Sequence, residues 1–241
     1  MIAGGIDADP FTIDNAGNIT GSAAFNDGDY AFLANNRGGE AKALGTLPCG
    51  CATWGAAIDP KGVPYGYAWD HYGTDHAVAF PANGGPAINL ETLPGTQSSR
   101  AGAVNAAGVV GGTAVVGGTI HATRYDGTQH DLGGVPGWGD GVATGIDRIG
   151  RVAGSIDRSE HGAYVFRAFV ADAAGPHDLT TLAGLDSGST ILQATAENAD
   201  GVILAEAKLG PATVPVLLTP SRRATNPLPG KLAGFPGPLG A

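Results

Sequence analysis

The sequence predicts an all-β chain built from five copies of one four-stranded antiparallel unit, and three observations carry the prediction. The first is composition: 41 glycines and 16 prolines among 241 residues are about twice average usage, and that density of chain breakers excludes a mostly helical protein. The second is a nine-residue frame that occurs five times: apolar, Asp or Asn, two variable residues, Gly, one variable residue, apolar, one variable residue, Gly. The third is that a short apolar strand follows each frame, and a Leu-x-x-Leu turn follows the strand.

The frame recurs at Ile13-Asp14 with Gly17, Ile19 and Gly21, at Ile58-Asp59 with Gly62 and Gly66, at Val104-Asn105 with Gly108, Val110 and Gly112, and at Ile146-Asp147 with Gly150, Val152 and Gly154. A fifth, decayed copy is Glu197-Asn198 with Gly201, Ile203 and Ala205. Successive copies lie 45, 46, 42 and 51 residues apart, the length of one small sheet. An Asx side chain bonds backbone amides two residues on, and Gly takes the positive φ of a tight turn. Asp14, Asp59, Asn105, Asp147 and Asn198 therefore read as turn formers rather than as a ring of ligands.

The strands that follow are Tyr30-Ala31-Phe32-Leu33, His76-Ala77-Val78-Ala79-Phe80, His121-Ala122-Thr123, Arg167-Ala168-Phe169-Val170 and Val214-Pro215-Val216-Leu217-Leu218. The turns are Leu44 to Leu47, Leu90 to Leu93, Leu132 to Val135 and Leu179 to Leu182, with a fifth read at Leu228 to Gly234. These residues resemble the HAF-repeat family of bacterial, mostly extracellular proteins, named for its His-Ala-Phe strand, over roughly residues 10 to 220. The resemblance implies a secreted or surface β-repeat protein, extracellular or periplasmic, and it carries over no catalytic residue.

Each repeat then reads as four strands, a to d. Strand a ends at the Ile-Asp pair, b begins after the turn, c is the His-Ala-Phe strand and d runs into Leu-x-x-Leu. Such four-stranded blades repeated radially make a five-bladed β-propeller. It is expected as one domain over residues 1–220, with 221–241 a Pro/Gly-rich tail or a closing strand.

Antiparallel order sorts the loops by face. The b–c loops and d–a connections share the chemically richer one, which gathers Asp27, Asp29, Asp70, His71, Asp75, His76, Asp140 and Asp157 with Trp54, Trp69 and Trp138. Aromatic walls beside a few polar groups suit a small ligand, so the three tryptophans are the expected ligand-binding residues. Surface loops also collect such residues without any function. Calcium takes six to eight oxygen ligands in flexible geometry, and Asp27, Asp29, Asp75, Asp140 and Asp157 are its expected ligands, drawn from several blades. Cys49 and Cys51 cannot make a zinc site alone, and a bridge between them would be strained.

Two functions are compatible with this face. One is a calcium-dependent hydrolase of a small ester or lactone, with His71 or His76 as general base to water and Asp70 beside the ion. The other is a non-catalytic carbohydrate- or protein-binding surface module. Nucleophile-elbow, zinc-protease, Walker and dinucleotide motifs are absent from the sequence. A formal charge of −9 argues against nucleic acid, which needs a basic face. No apolar stretch approaches the roughly 20 residues of a membrane span, and the N-terminus shows no signal-peptide pattern. The expected partner is a small molecule or a sugar, and the expected state is a monomer.

Overall fold

The five frames fold alike. In each, one side-chain oxygen of the Asx residue accepts two backbone amides at 2.8 to 3.1 Å: Ala16 and Asn18 on Asp14, Lys61 and Val63 on Asp59, Ala107 and Val109 on Asn105, Ile149 and Arg151 on Asp147, Asp200 and Val202 on Asn198. The first frame glycine sits at φ between 76° and 86° in all five, a conformation that only Gly adopts freely. The second has a different reason. A Cβ on Gly21, Gly66, Gly112 or Gly154 would land on the carbonyl of Asp9, Trp54, Arg100 or Val142, because the neighbouring strand is bulged there and pushes its backbone across. These details come from a computed structural model that describes residues 7–35, 41–138, 140–220 and 231–233.

The turns link consecutive strands into antiparallel meanders. The first module is β1 (Asp7–Ile13), β2 (Ile19–Phe25), β3 (Gly28–Ala34) and β4 (Lys42–Ala43); the second is β5 (Thr53–Ile58), β6 (Pro64–Trp69), β7 (Asp75–Ala79) and β8 (Ile88–Asn89). The third is β9 (Thr96–Val104), β10 (Val110–Val116), β11 (Thr119–Tyr125) and β12 (Gln129–Gly134). Then follow β13 (Asp140–Ile146), β14 (Val152–Glu160), β15 (Ala163–Asp172) and β16 (Gly175–Asp178), and β17 (Ser189–Glu197), β18 (Ile203–Leu209), β19 (Ala212–Thr219) and β20 (Lys231–Ala233).

The sequence reading expects five separate sheets, and the structure departs from it in the last two modules. They share one eight-stranded sheet through a parallel pair between Gly145 of β13 and Glu197 of β17. A Cβ on Gly145 would lie 2.7 Å from the Glu197 amide nitrogen, so glycine is what lets the two strands meet. In the fourth module the Leu-x-x-Leu turn is a one-turn helix, α1 (Leu179–Ala183), capped by the Asp178 carboxylate and closed by Gly184 at φ 61°. Residues 231–233 form the outer strand on β19; the rest of 221–241, including the remainder of the turn read at 228–234, lies outside the described residues.

Packing between modules uses small and branched side chains. The alanine of the His-Ala-Phe strand is buried at Ala31, Ala77, Ala122 and Ala168, and so are Phe32 and Phe169 beside it. The polar residue leading that strand has a partner on the next one or just past its end: His76 Nδ1 bonds Glu91 at 2.8 Å, His121 Nδ1 bonds Asp131 at 2.8 Å, and Arg167 approaches Asp178 at 3.9 Å. A basic residue on strand c facing an acid on strand d is thus part of the repeat's own cross-strand pairing. The first strand of each module faces a common channel of about 550 Å³, walled by Phe11, Ala57, Ala103, Ala143 and Ala196 among others.

Candidate functional site

The channel's polar end lies where β5 and β6 begin and end. Trp54 of β5 pairs in register with Tyr67 of β6, and their rings stack with centroids 5.0 Å apart and planes at 17°. Trp69, two residues on and so on the same face of the strand, tilts against Trp54 at 5.0 Å. Its indole N–H donates to Asp75 Oδ1 at 2.8 Å. The other oxygen of Asp75 accepts from Arg100 Nε at 2.7 Å and Nη2 at 2.6 Å, a two-point grip that fits the guanidinium fork. Arg100 lies 5.3 Å over the Tyr67 ring, and its Nη1 reaches 3.7 Å from Asp140. Burial alone would lower the Arg100 pKa, but Asp75 outweighs it and holds the guanidinium more firmly charged than usual. Three aromatic rings, two carboxylates and one arginine from three modules therefore make one connected surface, and Tyr67 and Arg100 line the channel.

A second groove of about 390 Å³ adjoins it through Asp140 and includes Trp138, Asp157 and Arg158. Asp140 and Asp157 are register partners, and burial followed by the Asp140 charge raises the Asp157 carboxyl above its ordinary range. Trp138 carries Arg158 over its ring at 4.7 Å.

The remaining sequence candidates are not part of this assembly. Asp70 is the Asx residue of another turn: it accepts Tyr72 and Thr74 amides at 2.8 and 2.9 Å, and those amides, Thr74 first, keep its pKa low. His76 lies between Glu91 and Asp70, 3.4 Å from the latter; burial would lower its pKa, but Glu91 and then Asp70 prevail and raise it. Its partner oxygen set continues to Ser99, whose hydroxyl donates to Glu91 at 2.6 Å. His71 packs against Tyr72, an exposed ring at the loop tip. Asp27 sits in the β2–β3 turn of the first module, facing Tyr30, and Asp29 lies at the start of β3, paired with Ala24 of β2. Among the described residues, no three His, Cys, Asp or Glu side chains converge closely enough to hold a metal ion. Asp75 and Asp140 are instead joined by Arg100, whose charge takes the place a cation would need.

Sequence reasoning missed Tyr67, Arg100, Glu91 and Glu197. Tyr67 was legible as the residue two before Trp69 on one strand face, and Arg100 as the one long cation in a run of small residues. Glu197 was the most legible of all, because it stands where the other four frames carry Ile13, Ile58, Val104 and Ile146. Its carboxyl oxygens are buried without a hydrogen-bond partner, beside a cavity of about 30 Å³ lined by Arg151, Val170, Leu179 and Ile203. Burial, then the Asp147 charge, push its pKa up to about 8 against the opposing pull of Arg151.

The chain has the fold of a β-propeller. Two solved structures share its architecture: the putative TolB from Agrobacterium tumefaciens, with a TM-score of 0.58 and 11% identity over 88% of this chain and 76% of that one, and TolB from Acinetobacter baumannii, with a TM-score of 0.54 and 14% identity over 93% of this chain and 55% of that one. The sequence matches no protein-family model, and no curated protein matches it. No helix among the described residues is long and apolar enough to cross a membrane.

Proposed function

We propose that the protein is a five-bladed propeller acting as a non-catalytic binding module, and that its ligand is a carbohydrate held at the mouth of the central channel. The observation that carries this reading is the stacked Trp54–Tyr67–Trp69 surface locked by Asp75 and Arg100. Sugar rings offer C–H faces to aromatic rings and hydroxyls to carboxylates and guanidinium groups. Here both kinds of group adjoin a concavity within the size range of small-ligand sites. The rings are fixed before any ligand arrives, which lowers the ordering cost of binding. Five equivalent Asx turns and five innermost strands on one channel support the blade count. The HAF-repeat resemblance supports an extracellular or periplasmic location.

Titration calorimetry with a panel of neutral and acidic mono- and oligosaccharides, followed by tryptophan fluorescence, tests the reading. Saturable binding that Trp54→Ala or Tyr67→Ala weakens at least tenfold is the expected result. Absence of any heat or fluorescence change at tens of millimolar sugar would sink it.

One observation favours the alternative of a calcium-dependent ester or lactone hydrolase: the Asp140–Asp157 pair, two facing carboxylates of which one is driven toward protonation. A cation would relieve that repulsion, leaving His71 or His76 to serve as base. A rise in melting temperature with millimolar calcium, lost in Asp157→Asn, together with chelator-sensitive turnover of a model lactone, would make this the better reading.

A further inference from the structure

Cys49 and Cys51 lie on the same face as the aromatic surface, in the connection between β4 and β5, and both are free thiols. The chain turns sharply between them: the Gly50 amide donates to the Leu47 carbonyl at 2.9 Å, and Gly50 has φ 71°, where a side chain would be strained. The turn folds the Cys49 side chain back, so that its sulfur accepts the Cys51 amide at 3.3 Å. The Cys49 thiol also donates to the Trp69 carbonyl at 3.1 Å. Cys49 is exposed and Cys51 half-buried.

We propose that Cys49-Gly50-Cys51 is a dithiol redox site that reacts with low-molecular-weight disulfides to form an intramolecular Cys49–Cys51 bond. Two thiols on a turn that already brings one sulfur against the other residue's amide need little rearrangement to close. A bridge over a single intervening residue is strained, and strained, exposed disulfides are the readily reduced ones. The site therefore cycles rather than locks.

The exposed Cys49 attacks first. Its thiolate displaces one thiolate from the oxidant disulfide, forming a mixed disulfide on Cys49. The Cys51 sulfur then attacks the Cys49 sulfur, expelling the second thiolate. Two protein thiols and one small disulfide become one protein disulfide and two small thiols, the two protons passing to the departing thiolates. The order of attack agrees with the Cys51 pKa, raised to about 11 first by its hydrogen bond to Cys49 and then by burial. Cys51 thus stays a donor to Cys49 until the mixed disulfide has formed. Closure removes the Cys49 hydrogen bond to the Trp69 backbone, which couples the redox state to the indole that Asp75 holds.

Incubation of the protein with excess glutathione disulfide, read by intact mass and thiol titration, tests this. The expected product is a monomer lighter by two hydrogens, with reactive thiols falling from two to none, no retained glutathione, altered tryptophan fluorescence, and full recovery by dithiothreitol. Cys51→Ser should instead keep one glutathione on Cys49. A wild-type product that retains glutathione, forms a covalent dimer or keeps both thiols would overturn the proposal.

Discussion

Replacing Glu197 by glutamine isolates the one buried carboxyl that stands where the repeat calls for an aliphatic residue. In the unfolded chain this group titrates near 4.5, and in the folded protein near 8. Below pH 4.5 both states are protonated and the group costs nothing by this route. As pH rises the unfolded state ionises first and gains stability that the folded state cannot match, so folding stability falls until about pH 8 and levels off above it. Two and a half pH units between 4.5 and 7, at about 1.4 kcal/mol each, put the cost at roughly 3 kcal/mol at pH 7, rising to about 5 at pH 8. Glutamine keeps the shape and removes the titration. Glu197→Gln should therefore match the wild type near pH 4.5 and exceed it by roughly 6 to 12 °C in melting temperature at pH 7, by the usual conversion for a chain of this size. Differential scanning calorimetry of both proteins at half-unit steps from pH 4.5 to 8.5 measures the gap. Parallel curves would refute the assignment, since a carboxyl with an ordinary pKa contributes no slope in that window.

The other predictions concern the turns and the site. Asp147→Ala should destabilise by about 3 to 5 kcal/mol in urea titrations, because Arg151, bonded to Asp147 at 2.6 Å and largely buried, would be left without its partner. Gly102→Ala should cost about 1 to 3 kcal/mol, since its Cβ would fall on the Ala143 carbonyl of the next module and the two strands would have to part; Gly118→Ala, with open space around it but φ 77°, should cost less. His76→Ala should weaken the protein more at pH 5.5 than at pH 8.5. A raised histidine pKa contributes stability that is complete below its unfolded value of 6.5 and is lost as pH passes the folded value, and solvent at this only partly buried pair limits the effect to about 1 kcal/mol. Arg100→Met should weaken sugar binding more than Arg100→Lys, because it removes the cation that Asp75 and Asp140 share.

Much of the architecture is legible in the chain because it is local. An Asx residue and a glycine three positions on make a turn with no help from elsewhere, and five such turns at regular spacing dictate five meanders. The buried Ala31, Ala77, Ala122 and Ala168 are legible for the same reason, as one position of a period-two strand repeated four times. The pairing of strand c to strand d could have been read too, from the acids Glu91, Asp131 and Asp178 beside the Leu of each turn. What only the tertiary structure decided is which loop residues meet. Asp70, Asp75, Asp140 and Asp157 look interchangeable as sequence, yet one is tied up in its own turn, one is gripped by Arg100 and two face each other across β13 and β14. The cation that grips Asp75 comes from a strand 25 residues on, in the neighbouring module. The joining of the last two sheets is of the same kind: Gly145 is an ordinary strand glycine until the Glu197 backbone arrives against it. A local motif fixes its own hydrogen bonds, whereas charge pairing and close approach depend on distances that only the packed modules set.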